Sequence, residues 1–190
     1  MEFRLVYQGP LPANGNADDK QKLRRFFHPQ LRTLWDQLPL SEIRNSGAPL
    51  GATVGPEVSL RTLIRPFGGF NFVPLINQQL TLIAELDVMF LRPQEPGAIL
   101  RHAGDIDNRM KTLLDALRMP SSVGELPAGD VPKVDENPFH CLLEDDALVT
   151  SLSISTDRLL TPAPPSHVDL LIHVRVKGVR VTWHNIGIIG

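Results

Sequence analysis

A chain of 190 residues with 42% hydrophobic content can bury a sizeable core and suits one domain, 1–190, with extensions rather than two domains. Its net charge of −2 and pI near 6.3 exclude a protein that coats nucleic acid by bulk charge, but not one that contacts phosphates through a few local cations. A single cysteine, Cys141, excludes an intramolecular disulfide and a thiolate zinc cluster within one chain, which fits an intracellular, cytoplasmic setting.

The start, Met1 to Tyr7, lacks the basic stretch and apolar run of a secretory signal. Phe3 to Gln8 reads as a first strand, closed by Gly9-Pro10-Leu11-Pro12 and Asn14-Gly15-Asn16. Asp18 and Asp19 then open a helix whose apolar face runs through Leu23, Phe26, Phe27, Leu31, Leu34, Trp35 and Leu38. Pro39 ends it, and Pro29 predicts a break or kink. Residues 45–57, rich in Gly and Pro, read as a loop. Strands are expected around Leu60 to Arg65, Phe70 to Leu75 and Gln79 to Leu91.

The last of these strands alternates, with Leu80, Leu82, Ala84, Leu86, Val88 and Phe90 on one face. Glu85 and Asp87 interrupt it, so this most apolar stretch falls well short of the ~20 residues that cross a bilayer, and no membrane partner is expected. A helix follows over Asp107 to Arg118, its inward face built by Met110, Leu113, Leu114 and Leu117. Residues 119–143 carry four prolines and two glycines and read as an inserted loop. Ala147 to Ser155 reads as a strand. Val168 to Lys177 and Val179 to His184 read as a hairpin across Lys177-Gly178, with Val168, Leu170, Ile172 and Val174 on one face. The sum is an α+β domain: a mixed or antiparallel sheet with packed helices.

Chemistry concentrates in Asp105-Ile106-Asp107-Asn108, followed by Lys111, Asp115 and a distant Asp145-Asp146 pair. Carboxylates repel one another and resist desolvation, so such a cluster calls for a cation or open solvent. Mg²⁺ is the natural ion, with Mn²⁺ as substitute, because it takes oxygen ligands, keeps several waters and is held by one or two carboxylates plus substrate phosphates. Asp107, Lys111 and Asp115 fall at successive i, i+4 positions, and Arg118 lies about one turn further on. Asp105 or Asp107 would cap the helix at its positive end, which keeps the carboxylate ionised. The same signals also describe an ordinary capped surface helix.

In motif order and spacing, this stretch resembles the RusA-like Holliday junction endonucleases. Asp105, Asp107, Asn108, Lys111 and Asp115 match the family's first block, and Leu142 to Val149 looks like its second. The matching motifs cover roughly Leu82 to Ser155, and a family-like core would run from about 60 to 185. The resemblance implies a Mg²⁺-dependent, structure-selective endodeoxyribonuclease that cuts branched DNA as a homodimer. By resemblance, Asp105, Asp107 and Asp146 would be the catalytic metal ligands and Lys111 the essential basic residue, with Asp145, Asn108 and Asp115 accessory. The 119–143 connection is longer than the family's, and the approach to Asp105 carries fewer basic residues, Arg92, Arg101 and His102 among them. Arg101, His102, Arg109 and Arg118 are candidate DNA contacts, weighed against a solvated loop and exposed helical arginines.

Elsewhere the bland readings hold. His140 beside Cys141 lacks any partner spacing for metal or nucleophilic chemistry, and His28, His167, His173 and His184 are scattered. Trp35 belongs to the first helix's apolar face, and Trp183 to core or edge packing rather than a base-stacking platform. Three function classes follow: the nuclease, a DNA- or protein-binding module on the same fold without nuclease activity, and a metal-dependent enzyme acting on small phosphorylated substrates.

Overall fold

The structure, a computed structural model, describes residues 1–45, 59–94 and 103–189, with the backbone alone at 45 and 103–105. In chain order its elements are β1 (Glu2–Pro10), α1 (Ala17–Trp35), α2 (Leu40–Asn45), α3 (Leu60–Leu63), β2 (Arg65–Phe67), β3 (Phe70–Ile76), β4 (Leu82–Arg92), α4 (Ala103–Leu117), β5 (Phe139–Leu143), β6 (Val149–Arg158), β7 (His167–Gly178) and α5 (Ile186–Ile189). Single 3₁₀ turns sit at Val123–Glu125 and Asp146–Leu148. The fold is α+β, with two mixed sheets.

Period-two alternation builds the larger sheet, whose strand order is β1-β7-β4-β6. Leu82, Ala84, Leu86, Val88 and Phe90 of β4 are all buried, as are Val168, Leu170, Ile172 and Val174 of β7, which lie antiparallel to them. β1 adds to the other edge of β7, pairing Val6 with Leu171 and Gln8 with Asp169. β6 joins β4 in parallel, from Ala84 opposite Val149 to Arg92 opposite Arg158. A parallel pair needs a crossover, and α4 lies within it.

The inner face of this sheet is covered by α1 and α4. α1 begins at a reciprocal cap, in which Asn16 accepts from the Asp19 amide and Asp19 from the Asn16 amide. Leu23, Phe27, Leu31 and Trp35 then follow at four-residue steps, each buried. Pro29 sits inside the helix without ending it, because the buried residues on both sides of it hold the same face to the core. Leu38, expected on that face, is exposed beyond the helix end.

The smaller sheet has the order β2-β3-β5, with β3 and β5 parallel. Both strands are buried nearly throughout, so they read as continuous apolar runs rather than alternating ones. Gly68 and Gly69, at φ +57 and +84, turn β2 into β3. Val73, Leu75, Leu142 and Leu143 of this sheet share one core with β1, α1, β4, α4 and β7, so the N-terminal strand and helix are part of the same core as residues 60–185.

Three expectations are corrected. Leu60 to Arg65 is not a strand: Ser59 and Thr62 cap the short helix α3, and only Arg65–Phe67 is extended. Of the expected 119–143 loop, the last five residues form β5, whose side chains are all buried. Val179 to His184 does not return as a strand, because the Asn185 amide group donates to the carbonyls of Leu80 and Arg180 and to the Thr81 hydroxyl, folding the tail into α5. Trp183 is therefore 81% exposed rather than in core or edge packing, whereas Trp35 is fully buried as expected. Residues 46–57 of the expected 45–57 loop lie outside the described residues.

Candidate functional site

α4 owes its seat to Met110, Leu113, Ala116 and Leu117, all buried against the core. Its first half is pinned to the turn after β1. The Gly15 amide donates to the Thr112 hydroxyl at 3.0 Å, and the Arg109 guanidinium donates to the Leu11 carbonyl. A side chain at residue 15 would bring its Cβ to 2.5 Å from the Thr112 methyl, so this close approach requires glycine. Arg109, a candidate DNA contact, is thus engaged in packing the helix.

The helix starts at Ala103 rather than at Asp107. Asp105 and Asp107 lie inside its first two turns, so neither is the capping residue, although both remain near the positive end of the helix dipole. Asp107 and Lys111, one turn apart, are both exposed, and neither side chain has a hydrogen bond or ion pair among the described residues. The Asn108 carbonyl accepts from the Thr112 hydroxyl at 3.0 Å. Of Asp105 the backbone alone is described, and Arg101 and His102 lie outside the described residues.

At the other end of α4 the same stripe is locked into ion pairs. Asp115 is buried, with Lys20 Nζ at 2.7 Å and Arg118 Nη2 at 2.9 Å. Burial alone would raise its pKa, but the hydrogen bonds and charges of Lys20 and Arg118 outweigh that and hold it below the ordinary value. Arg118 also pairs with Glu125 at 3.0 Å. Burial works against its charge, yet Glu125 and Asp115 more than compensate and raise its pKa. Glu125, itself partly buried, is held low by Arg118 and Ser121.

Beneath this cluster Arg24 of α1 is fully buried. Its guanidinium donates to the carbonyls of Asp115 at 2.8 Å, Glu125 at 3.1 Å and Arg118 at 3.3 Å, so it caps the C-terminal end of α4 from below. Burial lowers its pKa to about 10 against the pull of Glu125, which leaves it charged at neutral pH. Sequence reading missed Lys20, Arg24 and Glu125. The one available signal is the run of polar residues Gln21, Arg24 and His28 on the buried face of an otherwise apolar helix stripe.

The second acidic block sits at the Arg118 end. The Met119 amide donates to the Leu143 carbonyl at 2.9 Å, joining the end of α4 to the end of β5. Asp145 caps the following 3₁₀ turn, accepting from the Ala147 amide at 2.8 Å. Glu144 is taken by Arg65 at 2.8 Å and by the Gln78 amide at 2.9 Å. Asp146 is half exposed, and its Oδ2 lies 4.0 Å from Arg118 Nε. Eleven helical residues, about 16 Å of axis, separate Asp107 from Arg118. The structure therefore places Asp146 beside Arg118, at the Asp115 end of the helix. Among the described residues no three His, Cys, Asp or Glu side chains converge as a metal site.

By donor chemistry, Asp107 and Asp146 fit a hard, water-rich cation such as Mg²⁺, since both are exposed carboxylates. Asp115 does not, because its two oxygens are taken by Arg118 and Lys20. Among the described residues no helix is long and apolar enough to cross a membrane. No family model matches the sequence, and no curated protein or solved structure matches it either.

Proposed function

We propose that the protein is a Mg²⁺-dependent endonuclease acting on branched DNA, with its chemistry at the N-terminal half of α4. The observation that carries this reading is the pair Asp107 and Lys111: a carboxylate and an ammonium one turn apart, both exposed and both without a protein partner among the described residues, on a helix whose Arg109, Thr112 and Asp115 side chains are engaged.

In this reading Asp107, with Asp105 two residues before it, would hold the ion, which would supply a water acidified for attack and charge neutralisation on the phosphate, whereas Asp146, beside Arg118 at the other end of the helix, would not share that ion. Lys111 approaches the substrate phosphate as a mobile point charge, a role for which its lack of an ion pair suits it. Arg118 lies 4.0 Å from Asp146, and Asp145, by capping the turn at 146–148, fixes how the chain enters β6. Branched DNA and a homodimer presenting two such sites are the partners this reading implies.

A second reading, a DNA-binding module that does not cut, gains from Asp115 and Arg118 being structural and from Asp146 lying at their end of the helix. The deciding experiment incubates purified protein with labelled four-way-junction, flap and linear DNA, with Mg²⁺, Mn²⁺ or EDTA. Metal-dependent nicking of the junction, reduced by roughly 10²-fold or more in Asp107→Asn, is the expected result. Binding without cleavage under either metal selects the module, and neither binding nor cleavage removes both readings.

A further inference from the structure

The larger sheet ends in two unlike edges. At β1 the edge is plugged: the Val6 amide donates to the Gln30 Oε1 at 3.0 Å, and the Gln30 Nε2 donates to the Val6 carbonyl at 2.8 Å, so a side chain of α1 stands where a further strand would pair. β1 also carries Glu2, Arg4 and Pro10, charges and a proline of the kind that blunt an edge. β6, at the other end of the strand order, has a neighbouring strand on one side only among the described residues. From Val149 to Thr156 it contains no charge and no proline.

Its open side is regular. The Leu159 amide donates to the Arg92 carbonyl at 2.7 Å, and along a parallel ladder alternate residues turn both backbone groups to the same side. Ser151, Ser153 and Ser155 therefore bond toward β4, and Leu152, Ile154 and Thr156 present their N–H and C=O groups outward. The register shift of this ladder lies at its start, before Ser151. Leu152 and Ile154 are 39% and 37% exposed, although Leu86 and Val88, beside them on β4, are buried. The apolar layer thus runs out to an edge that nothing among the described residues covers.

The order of residues on this edge selects its partner. Taken outward from Ser153, the strand reads alike in both directions: Leu152 and Ile154, then Ser151 and Ser155, then Thr150 and Thr156. A two-fold contact needs a surface that complements itself. Antiparallel pairing of two such strands about Ser153 sets Leu152 of one copy opposite Ile154 of the other, with the outward groups of both in position to exchange hydrogen bonds. Serines meet serines on the opposite face, and threonines meet at the ends. We infer that β6 is a dimerisation edge: two copies of the chain pair antiparallel through residues 150–156, centred on Ser153, so that two four-stranded sheets become one continuous sheet. This gives the homodimer of the nuclease reading a surface, but it is read from the strand itself and stands if the chain cuts no DNA.

The test is sedimentation equilibrium of the purified chain, without DNA, from about 1 to 200 µM. Monomer and dimer should exchange with concentration, and Leu152→Lys and Ile154→Lys, which set a charge on the edge, should each weaken association about tenfold or more. Mild oxidation reads the register. Ser153→Cys meets its own copy across the axis at about 4.5 Å between Cα atoms and should cross-link, whereas Ser151→Cys lies about 13 Å from its own copy and should not. The native Cys141 is buried and does not compete. In the unaltered protein, raising the concentration should slow hydrogen exchange at the Leu152, Ile154 and Thr156 amides and leave those of Ser153 and Ser155 unchanged, a readout that does not depend on a variant folding. A monomer throughout the range overturns the inference. So does a dimer that keeps its affinity in both lysine variants, one that links through Ser151→Cys as readily as through Ser153→Cys, or exchange that slows equally at alternate amides.

Discussion

Asp107 and Lys111 at one end of α4, and Asp115 and Arg118 at the other, lie on a single stripe of the helix. The first pair is exposed and has no protein partner among the described residues. The second is buried with Lys20, Glu125 and the fully buried Arg24. The difference lies in what is packed alongside. The first half of α4 meets the turn after β1 through Thr112 and Arg109, which leaves its outer face open. The second half abuts α1 and the turn at 123–125, whose polar side chains reach into it. A repeat of charged residues four apart thus does two jobs, and spacing alone does not tell them apart.

The sharpest way to break this comparison is Arg24→Ala. Removing a buried cation that serves three carbonyls and leaving Glu125 and Asp115 short of a partner should cost about 3–5 kcal/mol in urea unfolding. A loss below about 1 kcal/mol would mean that the C-terminal end of α4 is held by apolar packing alone.

Acid is the next probe. Asp115 and Glu125 are both held below their ordinary pKa values, so their contribution is present above the unfolded carboxylate pKa, near pH 4, and is lost as pH falls through the lowered folded values. The urea midpoint should therefore fall as the pH drops below about 5, and fall less in Asp115→Asn, which is already weakened at pH 7. Equal acid sensitivity in the two proteins would place the linkage elsewhere.

Lys20→Met removes the outermost member of the cluster, four-fifths buried beside Asp115. Its cost should be about 1 kcal/mol or less, because Arg118 still pairs with Asp115. Smallest of all, Asp107→Asn and Lys111→Met should leave unfolding within about 0.5 kcal/mol of the parent while removing junction cleavage. A large stability loss in either would show that the open end of the helix is structural too.

Much of the scaffold was legible. The alternation of β4 and β7 named the buried residues, and Met110, Leu113 and Leu117 gave the inward face of α4, because one-sided burial imposes its own period on the sequence. β5 was not legible, since a strand buried on both faces has no alternation, and Pro138 beside it favours a loop reading. Nor was the tail, where one Asn185 side chain replaces a strand pairing with three hydrogen bonds. At the candidate site, spacing put Asp107, Lys111 and Asp115 on one stripe but gave no sign that Asp115 is locked into ion pairs. Its partners, Lys20 and Arg24, lie more than ninety residues earlier in the chain, and no local pattern signals such a contact.

The position of β7 in the larger sheet also dictates an order of assembly. It is the last strand in the chain, yet it lies between β1 and β4, bonding Glu2 through Pro10 on one side and Leu82 through Leu91 on the other. During synthesis neither of those strands can complete its ladder until residues 167–178 have left the ribosome. The contacts that close the sheet then span most of the chain, a high contact order that makes folding slow and late. For that interval β1 and β4 present open edges, and a nascent chain halted before residue 167 is exposed to misassembly in a way that the finished protein is not.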